Sequence, residues 1–296
     1  MPPANPLVSI ITPAYRAEDT IVRAVRSVVA QTYPRWEMLI VSDDGIDYQS
    51  LLAEHGITDP RLRIFTTGRV GGGPNLTRNI ALEAAAGDFI APLDADDLFY
   101  PKRLEVLLPL AEQQGMSGDN LAIVDLTDRE PVRNLLPEGA GMNWLDMANY
   151  ALTSTPLIFL FRQDLIEMSW DEDIELGADT LFNLRVMERV QQVPFVTQVL
   201  HEYHVLPDSI CHAPDAPARA EQAYHHCLQQ LDATGLGFRT QWGILVVKEM
   251  LLRKREINRR YTKALKAGLC RNFQQYIADG SDRQPWNMDP SAAMIG

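Results

Sequence analysis

An apolar run beginning at Gly87 meets Asp94, Asp96 and Asp97 directly after Leu93. In an extended chain residues two apart share a face, so Asp94 and Asp96 can converge on one point while Ala95 turns away. Paired carboxylate oxygens are the ligand set of a hard divalent cation. Mg²⁺ or Mn²⁺ takes one or two of them and completes its shell with phosphate and water. An acidic turn closing a surface strand has the same composition, and the surrounding elements decide between the two.

Those elements read as an alternation. Residues 7–11 form a β-rich run that ends at Thr12 and Pro13, and residues 20–31 place Ile21, Val25, Val28 and Val29 at helical spacing. Residues 36–41 and 61–66 read as further strands, the first broken by residues 42–45. Residues 75–86 carry Leu76, Ile80 and Ala84 on one helical face and end at Gly87, expected to be the C′ glycine. The glycines at 71–73 lack the following Lys-Ser/Thr of a phosphate-cradling loop and read as a flexible turn. Strands and helices alternating in this way predict an α/β fold, a mostly parallel sheet with helices on both faces. Ligands of such sheets bind beyond the carboxyl ends of the strands. Tyr15, Asp44 and residues 94–97 all fall there, which favours the chemical reading of the acidic segment.

Further along, Leu104, Leu107, Leu108 and Ala111 continue a helix after Pro101, and residues 119–143 read as irregular and polar. Residues 156–162 read as a buried strand and residues 179–191 as a helix. Two short strands are expected near Phe195 and Tyr203, a linker at 212–218, and helix from there to about Gly268. The organisation expected is a catalytic domain at 1–211, split near residue 118 into a nucleotide-binding half and an acceptor half, and a helical C-terminal extension at 212–296.

The runs 8–15, 27–37, 41–45, 77–79 and 93–97, in this order and spacing, resemble the family 2 glycosyltransferases, an inverting group with the GT-A fold. The resemblance is looser at 176–185 and 203–209, and the last eighty or so residues match nothing comparable. It implies transfer of a single sugar from a nucleotide-sugar donor, usually a UDP-sugar, to a hydroxyl of a glycan or lipid-linked acceptor, as in bacterial surface polysaccharide assembly. It further implies that Pro13, Ala14 and Tyr15 line the base, that Asp44 hydrogen-bonds it, and that Arg78 lies against the diphosphate or the base-proximal wall. Asp94 falls near the ribose and Asp96 on a Mn²⁺ or Mg²⁺ ion, with His204 as a further metal ligand and Asp97 toward the donor sugar or acceptor. Asp179 occupies the place of the base that takes the acceptor's proton. The family usually has Glu before that Asp; here Ala178 stands in its place, so Asp173 and Glu175 remain substitutes. The alternative role for Asp179 is a helix N-cap, which an Asp before Thr180 suits, and one residue can serve as both.

Two other functions use a similar plan. A sugar-nucleotide-binding protein without turnover would keep the fold. A sugar-1-phosphate nucleotidyltransferase would show a glycine-rich, Arg-containing loop after the first strand, and residues 12–16 lack those glycines.

Composition narrows the setting. A net charge of −12 argues against nucleic acid as a partner. The three cysteines, Cys211, Cys227 and Cys270, form no Cys-x-x-Cys pair and suggest neither a disulfide framework nor a zinc site. No apolar run approaches the roughly 20 residues of a membrane helix, and the N-terminus lacks signal-peptide character, so a soluble, cytoplasmic protein is expected. Residues 241–271, however, carry nine Lys/Arg against two Glu. Val246, Met250, Ile257, Tyr261 and Ala264 form an apolar stripe among those charges, expected to pack on the catalytic domain, to join two subunits, or to rest on the inner face of an anionic membrane.

Overall fold

The computed structural model describes residues 5–126, 130–154, 157–206, 213 and 215–278. Strands β1 (Val8–Ala14), β2 (Trp36–Ser42), β3 (Leu62–Thr66) and β4 (Phe89–Pro92) alternate with helices α1 (Ile21–Val29), α2 (Tyr48–Glu54) and α3 (Pro74–Ala84). The short β5 (Leu98–Phe99) leads to α4 (Arg103–Gln114) and the long β6 (Met116–Asp125). Then come β7 (Glu130–Asn134), β8 (Met142–Leu145), α5 (Met147–Ala151), β9 (Phe159–Arg162), α6 (Ala178–Met187) and β10 (Val193–Val205). Three helices close the described chain: α7 (Ala216–Thr234), α8 (Gln241–Lys266) and α9 (Phe273–Tyr276).

All ten strands form one sheet, in the order β3-β2-β1-β4-β9-β6-β10-β5, with β7 on β6 and β8 on β10. The first four are mutually parallel. β9 runs antiparallel to both β4 and β6, and β10 runs parallel to β6, so six of the ten strands point one way. Alternation along β1 and β2 sends Ile10, Met38 and Ile40 to the face covered by α1, α2 and α4, while Ile11, Leu39 and Val41 face α3, α5 and α6. Burial on both sides explains why these strands read as unbroken apolar runs.

Several expectations change. Gly87 is not a C′ glycine: α3 ends at Ala85 in extended backbone. A Cβ on Gly87 would sit 2.7 Å from the Ser9 nitrogen and 2.8 Å from the Leu7 carbonyl oxygen, so glycine is required for close approach to β1. The turn at 71–73 is pinned, not loose, since Asp43 accepts from Gly72 N at 2.9 Å and Gly73 N at 2.8 Å while its carbonyl accepts from Gly71 N. The two short strands near Phe195 and Tyr203 are one strand, β10, with register shifts around Val199. Residues 119–125, read as irregular, belong to the central strand β6. Their polar residues are buried because each finds a partner: Asp119 binds the fully buried Arg103 at 2.9 Å, and the Asn120 amide spans the Leu136 and Thr197 carbonyls.

The C-terminal helices join the same core. Cys227 and Leu231 of α7 and Val247, Met250 and Leu251 of α8 lie in one apolar cluster with β9 and α6. Met250, Ile257 and Tyr261 of the apolar stripe are buried, with Val246 and Ala264 half-buried. No described helix is long and apolar enough to cross a membrane. Cys211 and the start of the linker at 212 lie outside the described residues.

Because Arg103 and Asp119 are both wholly buried, removing one leaves an uncompensated charge. Asp119→Ala is expected to lower unfolding free energy by about 3–5 kcal/mol, read from urea denaturation with β6 as the structural casualty.

Candidate active site

The parallel strands β1, β2 and β4 end at one rim, and Tyr15, Asp44 and Asp94 follow them there. At the first position, the chain turns through Arg16, whose φ of 51° is in the left-handed region. That turn is held by the Asp44 carboxylate, which accepts from Arg16 N at 2.5 Å, Ile46 N at 3.0 Å and the Tyr48 hydroxyl at 2.7 Å. Burial works against the Asp44 charge, but these bonds and one from Ser42 hold its pKa below the usual carboxylate range. Asp44 therefore shapes the wall beside Pro13, Ala14 and Tyr15. Tyr15 is left 46% exposed with the Arg16 guanidinium 5.2 Å from its ring centre, an open aromatic surface.

Arg78 organises the centre. It projects from α3 with a side chain only 6% exposed and donates to Asp94 Oδ1 at 2.7 Å, while its other terminal nitrogen lies 3.3 Å from Asp179 Oδ1. One guanidinium thus joins the donor-half carboxylate to the carboxylate that opens α6. Asp179 is not a cap: Gly177 takes the N-cap position without a side-chain bond, and Asp179 is the second helical residue. Its Oδ1 accepts instead from Trp170 Nε1 at 2.8 Å. The cleft walls and the charge of Asp94 raise its pKa, against the lowering effect of Arg78 and Trp170, although 42% of the side chain stays exposed and solvent moderates the shift. The substitutes point elsewhere. Glu175 pairs with Arg219 at 2.7 Å and Asp173 with His226 at 3.2 Å, both toward α7.

The acidic segment separates into unlike members. Asp97, expected toward a sugar, is 1% exposed and accepts the His204 backbone N–H at 2.8 Å, because β10 passes directly behind it. Burial pushes its pKa well up and pushes the neighbouring His201 down to about 3. Asp96 stays half-buried, and desolvation followed by the charges of Asp97 and Asp94 raises its pKa to about 8. His204 does not present a nitrogen to a cation in this arrangement: its Nδ1 meets the Asp96 carbonyl oxygen and its Nε2 meets Glu202 at 3.1 Å. It acts as a strut between β10 and the acidic segment. Among the described residues no group of three His, Cys, Asp or Glu side chains is placed to hold a metal ion. Asp96 with Asp94 nonetheless fits Mg²⁺ or Mn²⁺, which needs few protein carboxylates when phosphate supplies the rest.

Three residues of the site, Asn75, Asn79 and Trp170, were given no role in the sequence. Asn75, Arg78 and Asn79 share a face of α3 (i, i+3, i+4), a polar row in which Asn75 and Arg78 are buried. Asn75 Nδ2 donates to the Asp171 and Ile174 carbonyls, and Asn79 brackets Trp170 by accepting its N–H at 2.8 Å and donating to its carbonyl at 2.9 Å. Trp170 itself is 2% exposed and stacks on Phe182 at 3.7 Å between centroids. The polar row was the available signal; Trp170 had none.

The model of the family described as glycosyl transferase family 2 matches residues 9–162, just over half of the chain. This chain belongs to glycosyl transferase family 2. Among curated relatives of the family, the uncharacterized glycosyltransferase EpsJ of Bacillus subtilis (strain 168) is 27% identical over 260 residues, covering 81% of this chain and 71% of that protein. The Escherichia coli UDP-Glc:alpha-D-GlcNAc-diphosphoundecaprenol beta-1,3-glucosyltransferase WfgD is 38% identical over 111 residues, covering 38% of this chain and 43% of that one. In fold, the chain is similar to the crystal structure of S. aureus TarS 1-349 in complex with UDP-GlcNAc, with a TM-score of 0.62 at 19% identity over 92% of this chain and 79% of that one. The fold is therefore that of the GT-A glycosyltransferases.

Trp170→Phe keeps the stacked ring but deletes the donor to Asp179. The expected result is a further rise in the Asp179 pKa, since a hydrogen bond that favours the charged form is lost, measured by carboxyl-carbon NMR titration.

Proposed function

We propose that this family 2 enzyme is a metal-dependent, inverting transferase that moves one sugar from a UDP-sugar to a hydroxyl of a glycan or lipid-linked acceptor. The observation that carries the reading is the bridge from Asp94 through Arg78 to Asp179, which puts the acidic segment and a raised-pKa carboxylate in one cleft. Support comes from WfgD, which by its name uses UDP-Glc, and from the TarS structure holding UDP-GlcNAc.

Tyr15 offers a face to the base, and the wall built by Asp44 orients it. Asp96, with Asp94 beside it, would hold Mg²⁺ or Mn²⁺, which when bound offsets the charge gathering on the leaving diphosphate. Arg78 offers a fork suited to phosphate oxygens. As Arg78 turns toward a bound diphosphate, its lowering effect on the Asp179 pKa weakens, so loading the donor strengthens the base. Asp179 then accepts the acceptor's hydroxyl proton at its carboxylate while that oxygen attacks the anomeric carbon from the side opposite the diphosphate. Asp97, buried and bonded to the His204 backbone, has no part in proton transfer in this scheme.

The outward face of α8 gives the reading a setting. Trp242 and Leu245 are more than half exposed, and Arg259, Arg260, Lys263 and Lys266 are exposed further along the helix. Such a face can rest on an anionic membrane carrying a lipid-linked acceptor. Salt-sensitive co-sedimentation with anionic vesicles, reduced by Arg259→Glu with Lys263→Glu, is expected; absence of sedimentation at low salt counts against membrane contact.

Asp179→Asn should retain UDP binding by calorimetry but lose transfer by roughly 10²–10⁴. The wild-type rate should rise with pH through an apparent pKa above the ordinary carboxylate value of about 3.9, because the raised-pKa base must be ionised. Asp96→Ala, or excess chelator on the wild type, should abolish transfer. Full activity under either condition removes the metal from the mechanism.

A further inference from the structure

Beside Asp179 lies a pocket of about 160 Å³ that the catalytic half alone does not enclose. Its inner wall is the start of α6, with Gly177, Asp179 and Thr180, and its other walls come from Tyr203 and from α7, α8 and α9. We propose that this pocket is the acceptor subsite and seats one pyranose ring of a glycan acceptor. The inference rests on the transferase reading above and assigns a role to the C-terminal helices, which lie beyond the matched family region.

The wall chemistry selects the ligand class. Tyr203, Tyr224, Tyr261 and Phe273 supply aromatic surface, which suits the C–H face of a sugar, and few polar groups interrupt it. A diphosphate would call for a cluster of cations, whereas Lys254 is the one basic residue in the lining. The volume falls below the roughly 300–1,000 Å³ of sites for larger ligands, which fits a single ring.

Gln274 provides the independent sign of a ligand. It lines the pocket, is 2% exposed, and its side-chain oxygen is buried with no hydrogen-bond partner among the described residues. A buried acceptor left unpaired is costly, and a sugar hydroxyl entering the pocket supplies the missing donor. The residue is held in place by its own helix. Asn272 caps α9 by accepting from Gln275 N at 2.9 Å and donates to Asp125 at the end of β6 at 3.2 Å, while Phe273 packs edge-on against Tyr261 at 5.2 Å. With Asp179 on the facing wall, a ring seated against Gln274 presents another hydroxyl to the base.

The test uses the full chain and ligand-observed saturation-transfer NMR. The probes are methyl α- and β-hexopyranosides, with farnesyl diphosphate as the lipid-diphosphate comparison. UDP affinity, measured in the same samples by calorimetry, reports the donor half separately. Wild type should bind pyranosides, Gln274→Leu should weaken that binding roughly tenfold or more, and Ala220→Trp, which fills the pocket from α7, should remove it. Pyranoside binding that is absent from the wild type, or equal in all three proteins, overturns the proposal; so does farnesyl diphosphate binding that Ala220→Trp removes while pyranosides are ignored. Failure of wild type to bind UDP counts instead against the nucleotide-sugar reading.

Discussion

The Arg78 guanidinium is the joint on which the site depends. It is nearly inaccessible, it rises from a helix whose position is fixed by the parallel strands, and it holds Asp94 and Asp179 in one geometry. Without a cation between them, two carboxylates from separate parts of the chain would repel. With Arg78 in place the donor half and the α6 entrance become one electrostatic unit. In the proposed mechanism a donor diphosphate competes for the same guanidinium, which would couple donor loading to the proton affinity of Asp179.

The supporting shell explains why that geometry is reproducible. The polar face of α3 grips the 170–174 segment through main-chain bonds from Asn75 and Asn79, and Trp170 carries the constraint to Asp179 through its indole nitrogen. Behind the acidic segment, Asp97 and His201 are buried, and Asp97 ties the segment to β10 by accepting the His204 N–H. Arg103 of α4 and Asp119 of β6 form a second buried pair, close to His201. Polar groups at this depth are tolerated because partners meet most of them.

The parallel half was legible because both faces of its strands are buried, leaving uninterrupted apolar runs punctuated by the residues that reach the rim. The second half was not, and β6 shows why: its Asp119 and Asn120 look like loop residues until Arg103 and the Thr197 carbonyl are known to face them. Both are contacts across long sequence separation, invisible to any local pattern. Gly87 misled for a related reason, since a glycine excluded by a neighbouring strand cannot be told by sequence from one that ends a helix. For the site, the types and spacing at Asp94, Asp96 and Arg78 were readable, whereas the burial that turns Asp97 away and engages both nitrogens of His204 depends on where β10 runs.

The central claim is that Asp179 and the leaving diphosphate stand on opposite sides of the anomeric carbon. It is tested most directly by the stereochemistry of donor hydrolysis, which needs no acceptor. Proton NMR of the hexose released from a UDP-α-hexose, recorded before mutarotation, reports the configuration in which the new bond forms. The account predicts that the β anomer appears first in the presence of Mn²⁺, and that its appearance slows in Asp179→Asn. First appearance of the α anomer would contradict it.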